Sequence, residues 1–253
     1  MPIPTYRLLS FDQLVGTGAT APRYVGISGV AKAHQPGRYT LVNEWVCAEI
    51  AKLLRLPIPP SFLTKSDNGS HHFVSTDFSL SREALPPVSP AEVIRYHPAL
   101  GAQLVAFDTL VGNADRHPGN LALHPDTHQL MVYDHSHALF GWGSIGTGVA
   151  WLSAITDDVG ILGQDPAGNG RGSRHCLLDH VTSPLDLREA AARVVQLNVK
   201  LISEIAHESR SLDLPETDAR FLDQFLADRC VRTPTLLEAA FSKFAKLDQG
   251  TLL

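Results

Sequence analysis

The residues with the clearest capacity for chemistry lie in Asn113-Ala114-Asp115-Arg116-His117-Pro118-Gly119-Asn120. They are followed 14 positions later by Asp134, in Leu130-Met131-Val132-Tyr133-Asp134-His135. A carboxylate five positions before an amide, then a short apolar run ending in a second carboxylate, is what phosphoryl transfer from a magnesium nucleotide requires. Asp115 would orient a hydroxyl and take its proton, while the Asn120 amide oxygen and Asp134 would hold the Mg2+ that bridges the phosphates of ATP. The spacing predicts a small ATP-dependent kinase.

Two other readings of the same residues compete. Pro118-Gly119 dictates a turn, so Asp115, His117 and Asn120 can be read as residues that merely satisfy loop backbone. Against this, a carboxylate directly after the apolar run Met131–Tyr133 has little structural reason to be there. A hairpin of Leu121–Leu123 with Leu130–Tyr133, turning at Pro125-Asp126, would bring Asn120 and Asp134 to one side of a cleft. His117, His135 and His137 with the two aspartates also allow a metal-hydrolase reading. No HExxH-like spacing supports it, and twelve histidines in 253 residues produce clusters by chance. His117 is expected to support the catalytic loop by hydrogen bonding.

Lys32, after Val30-Ala31 at the end of a predicted strand, is placed to reach nucleotide phosphates as a point charge; an ordinary exposed strand lysine is the alternative. Glu44, early on the next helix, would pair with it, and Glu49 competes for that role. Gly16 and Gly18 would let backbone amides approach phosphate. Neither GxGxxG nor GxxxxGK[ST] is present, and a plain flexible turn fits equally well.

These groups need elements to hold them. Residues 14–22 read as a small-residue loop, and Arg23–Ile27 and Val30–Ala33 as short strands interrupted by Ser28-Gly29, forming a β-hairpin lid. Apolar residues from Tyr39 to Leu54 recur at helical spacing until Leu56-Pro57-Ile58-Pro59-Pro60 ends the helix. A strand over His72–Thr76 precedes a hinge at Asp77–Arg82. Ser89-Pro90-Ala91-Glu92 predicts a helix start with a capping box, and a further helix spans about Leu100 to Leu110. Gly163–Gly172 reads as a mobile loop. Amphipathic stretches follow at Leu185–Glu208 and Glu216–Arg229, with a second capping box at Thr235–Glu238 before a last short helix. The expected architecture is α+β and bilobal: a strand-rich N-lobe with one helix over residues 1–79, and a mostly helical C-lobe over residues 80–253.

Composition sets the outer limits. A chain of 253 residues, 44% hydrophobic and 19% charged, can bury one large core or two lobes. A net charge of -5 offers no broad basic footprint for nucleic acid or an anionic membrane. Cys47, Cys176 and Cys230 are far apart and odd in number, which predicts a reducing compartment with no disulfide framework or thiolate zinc site. The start of the chain does not read as a secretory leader and no run suits a membrane span, so a cytoplasmic protein is expected.

With these parts in order, the chain resembles the compact HipA-like kinase-domain proteins. The resemblance is carried by Gly16–Pro22, Val30-Ala31-Lys32, Leu41–Glu44, Leu56–Pro60, Asn113–Asn120 and Tyr133–Leu139, over roughly residues 14 to 140. The Asp-Arg-His-x-x-Asn core is shared with phosphatidylinositol 3- and 4-kinases of the wider superfamily. The resemblance implies a bilobal kinase fold with ATP and magnesium between the lobes. It gives Asp115 as catalytic base, Asn120 and Asp134 as metal ligands, Lys32 as the phosphate-binding lysine and Glu44 as its partner. Gly119 stands where the toxin kinases of the group commonly have lysine, and their additional N-terminal domain is not apparent. The expected activity is a bacterial-type serine/threonine kinase acting on an unidentified protein or small-molecule acceptor, with a regulatory partner protein as an added expectation. A lipid or small-molecule kinase and a nucleotide-binding pseudokinase acting through a partner contact are the rival readings.

Overall fold

A computed structural model describes residues 8–14, 23–78, 86–141, 143–156 and 174–247. Gly16, Gly18, the expected mobile loop at 163–172 and the hinge beyond Phe78 lie outside the described residues. So does the expected lobe boundary at residues 79 and 80.

The N-terminal part carries two small antiparallel sheets. Strand β1 (Leu8–Leu14) pairs with β2 (Arg23–Ile27), and β3 (Gly29–Ala33) pairs with β5 (His71–Thr76), whose other edge takes β4 (Ser61–Lys65). The strands expected at 23–27 and 30–33 therefore exist but do not pair with each other. Only Ser28 separates them, too little chain to reverse direction, so each takes a partner from elsewhere. In the three-stranded sheet Lys32 lies opposite Phe73 and Val30 opposite Ser75. Residues two apart share a face, so Val30 and Lys32 look the same way.

Helix α1 (Thr40–Leu53) packs across β4 and β5. It stops before the prolines: Arg55 takes a left-handed φ of 56°, with Leu56 N–H donating to Ala51 C=O and Arg55 N–H to Lys52 C=O. That is a Schellman closure, normally made with glycine. Pro57 continues as an extended linker whose carbonyl accepts from Val132 N–H at 2.9 Å, stitching the two parts together.

The remainder is mainly helical: α2 (Pro90–Tyr96), α3 (Pro98–Leu110), α4 (Gly148–Ile155), α5 (Pro184–Val195), α6 (Val199–Glu208) and α7 (Glu216–Ala239), with one hairpin of β6 (Leu121–Leu123) and β7 (Leu130–Val132). Helix α3 is buried on nearly every face against α5 and α7. Three expectations are corrected here. Ser89 does precede α2, but its side chain makes no cap bond; Glu92 N–H donates instead to the Ser89 backbone carbonyl at 3.0 Å. The stretch 185–208 is two helices, the second capped by the Asn198 side chain accepting from Lys200 N–H. The second capping box does not form, because α7 runs through Pro234. Burial of Leu236 and Leu237 beyond it holds the helix together against a proline cost of about 3 kcal/mol.

Candidate active site

The loop that carries Asp115, His117 and Asn120 begins where α3 is made to stop. Gly112 has φ 59°, Gly112 N–H donates to Thr109 C=O and Asn113 N–H to Asp108 C=O at 2.9 Å, a second Schellman closure that turns the chain out of the core. Asn113 then receives Asp115 N–H on Oδ1 (3.1 Å) and donates from Nδ2 to the Asp108 carboxylate (2.8 Å). Asn120 donates from Nδ2 to the Asp115 carbonyl at 2.8 Å, so its amide oxygen is the atom left for a ligand. His117 Nδ1 accepts from Gly119 N–H at 3.0 Å, bracing the short 3-10 turn Pro118–Asn120. A Cβ at position 119 would lie 2.9 Å from His117 Cε1, so the braced ring position suits the glycine found there.

Under the loop sits a charge cluster that the sequence did not single out. Arg116 is fully buried. It donates from Nε and Nη2 to the two oxygens of Asp108 (2.9 and 3.1 Å), and from Nη1 to the carbonyls of Asn120 (3.1 Å) and Tyr133 (3.0 Å). His175 Nε2 donates to Asp108 at 3.0 Å. Burial alone would push the Asp108 carboxyl up, but the Arg116 charge and the bonds from His175 and Arg116 hold it well below the usual carboxylate range. Arg116 thus ties Asp108, the end of the Asn113–Asn120 loop and the strand leading to Asp134 into one unit. Its signal in the sequence is an arginine between Asp115 and His117, and an aspartate, Asp108, as the one charged residue of the α3 segment.

The hairpin forms as expected, with Leu121 opposite Val132 and Tyr133 N–H donating to Asn120 C=O at 3.3 Å. It delivers Asp134, whose φ of 58° is left-handed. Lys32 Nζ pairs with Asp134 Oδ1 at 2.8 Å and also with Glu44 Oε1. Glu49 pairs with Lys52 on its own helix at 2.6 Å. Burial would raise the Asp134 carboxyl, yet Lys32 and the Ser136 donors bring it well below its ordinary value. Burial raises Glu44, and Lys32 only partly offsets it. Asp115, half-buried, is raised chiefly by burial, with His117 opposing and Asp134 adding to the rise. Burial brings His135 down to about 3 and His137 to about 4, leaving both imidazoles neutral at pH 7. Among the described residues no group of three or more His, Cys, Asp or Glu side chains is arranged to hold a metal ion.

Two cavities meet at Lys32 and Asp134. One, of about 520 Å³, is walled by Val30, Ala48, Ile58, Phe73, Val132 and Tyr133, with Ser61 and Thr76 among its polar lining. The buried hydroxyl oxygens of Ser61 and Thr76 have no hydrogen-bond partner within the protein. The other, of about 500 Å³, has Gln35, Arg38, Thr40, Ser136 and His137 in its lining. The first has the size and apolar walls of a small-molecule site.

The family model described as HipA-like kinase matches residues 26–141. No curated protein matches the sequence. Among solved structures, the proinflammatory kinase CtkA of Helicobacter pylori is similar in fold, with a TM-score of 0.56 at 15% identity over 90% of this chain and 96% of that one. HipA of Shewanella oneidensis MR-1, in a toxin–antitoxin complex with HipB and operator DNA, aligns with a TM-score of 0.42 at 14% identity, over 94% of this chain and 66% of that one. The similarity to CtkA shows the expected α+β, kinase-like fold. The span that matches the HipA-like kinase model, residues 26–141, includes Lys32, Glu44, the Asn113–Asn120 loop and Asp134.

Proposed function

We propose that the protein transfers the terminal phosphoryl group of ATP, with Mg2+, to the hydroxyl of a serine or threonine. The observation that carries this is the bridge of Lys32 between Glu44 and Asp134 at the wall shared by the two cavities. The nucleobase would occupy the apolar cavity, where the unpaired Ser61 and Thr76 hydroxyls await a partner. The phosphates would lie at Lys32, and the acceptor would approach from the second cavity.

The donor set fits a hard cation: a carboxylate at Asp134 and the free amide oxygen of Asn120. Bound there, Mg2+ would neutralise charge on the transferring phosphoryl oxygens. Lys32 would release Asp134 to the metal and turn its ammonium to phosphate, Glu44 keeping it in place. Asp115, its carboxyl raised by burial, is the stronger base for that shift and would take the hydroxyl proton late in transfer. His117 would act on the loop rather than on the substrate.

Calorimetry of ATP binding with and without Mg2+, on the parent and on Asp134→Ala, tests the reading. Magnesium-dependent binding that disappears in the variant is the expected result; equal binding by both proteins removes Asp134 from the metal site. Asp115→Ala should keep nucleotide binding and lose about 10²–10⁴-fold in transfer to an acceptor. A regulatory partner protein and a cytoplasmic location belong to the same reading. No helix among the described residues is long and apolar enough to cross a membrane.

A further inference from the structure

Asn43, next to Glu44 on α1, is completely buried although its amide is fully polar. Both ends are used on one distant segment. Nδ2 donates to the carbonyls of Ser136 (2.7 Å) and Gly141 (3.4 Å), and Oδ1 accepts from Phe140 N–H (3.4 Å). Its neighbour Glu44 accepts from His135 N–H at 3.2 Å. Two consecutive residues of α1 therefore grip the chain that follows Asp134, at its first, second, sixth and seventh residues.

Asp134 itself sits in the left-handed region, which an aspartate leaves readily unless its surroundings hold it. The local restraint is Ser136, whose Oγ (2.5 Å) and N–H (3.3 Å) both donate to Asp134 Oδ1. Ser136 is held in turn by Asn43 through its carbonyl. We infer that Asn43 is a positioning residue for the metal site: by clamping 135–141 to α1 it keeps the Asp134 carboxylate at the mouth of the cavities, and it makes that placement depend on the position of α1. This rests on Asp134 being the metal ligand of the proposed function.

Mg2+ titrations of nucleotide binding, followed by calorimetry, test it in Asn43→Ala, in the isosteric Asn43→Asp, which when ionised cannot donate to Ser136, and in Val46→Ala. Val46 is a buried α1 residue that serves as a control for general loosening. Both Asn43 variants should raise the Mg2+ half-saturation by about 10–100-fold, the range for groups that orient a metal ligand. Nucleotide affinity at saturating Mg2+ should stay within about two-fold of the parent, and Val46→Ala should leave the Mg2+ half-saturation near the parent value. Unchanged Mg2+ half-saturation in folded Asn43→Asp, or an equal shift in Val46→Ala, overturns the positioning role. A parent that binds no magnesium nucleotide overturns the kinase reading itself, and the inference with it.

Discussion

Asp108 and Glu44 are both carboxylates sealed from solvent, at 0% and 2% exposure, and they are shifted in opposite directions. Asp108 receives Arg116 twice, His175 and Asn113, enough donors to overcome burial. Glu44 receives Lys32 and one backbone N–H, and burial prevails. The first cluster is closed, with each partner internal. The second shares its cation with Asp134 and opens onto two cavities. A closed network holds a loop; an open one, whose cation has two carboxylates to choose between, can hand a ligand its charge.

That contrast predicts a separation of effects. Arg116→Ala should be the most damaging to the fold, at about 3–5 kcal/mol, because it strands a buried Asp108 and frees two carbonyls. Urea unfolding that shows a loss under 1 kcal/mol would mean the cluster is not the loop's anchor. Lys32→Ala should invert the pattern. Transfer should fall about 100-fold, equivalent to about 2.7 kcal/mol in the barrier, while stability changes far less than in Arg116→Ala because Lys32 is partly exposed. Kinetics and urea unfolding run on both variants would show whether the two effects trade places.

Acid sharpens the comparison. The folded-state value of Asp108 lies below an unfolded value of about 3.9, so its stabilisation is complete above about pH 5 and is lost as pH falls through the folded value. Below about pH 4 it should contribute a slope of about 1.4 kcal/mol per pH unit, and Asp108→Asn should lack that contribution. Parallel slopes in the two proteins would argue that Asp108 is not the group being protonated. The smallest effect is expected at Gly119. Adding a Cβ pushes on the His117 ring and weakens its bond to the backbone, so Gly119→Ala should cost about 0.5–1.5 kcal/mol at most, read as a modest shift in the unfolding midpoint.

Much of the site could be read in the chain because its chemistry is local. Asp115, His117 and Asn120 share one turn, and the Leu121–Val132 hairpin that carries Asp134 needs only a short loop. Lys32 and Glu44 are 12 residues apart on adjoining elements, and their periodicities were visible. Where expectation failed, distant packing decided. The β2 and β3 strands found partners in β1 and β5, and α7 kept its course through Pro234 because the residues beyond are buried.

What the sequence determined by itself is which groups are available and which can be neighbours: the loop carboxylate, the amide, the hairpin aspartate, the strand lysine. What only the tertiary structure decided is their electrostatic state and restraint. Whether Glu44 or Glu49 met Lys32, whether Asp108 and His175, 67 positions apart, would join beneath the loop, and whether Asn43 would reach Ser136 across 93 positions depended on how the helices packed. Charges interact through space and lose water through burial, and neither quantity is set by spacing along the chain.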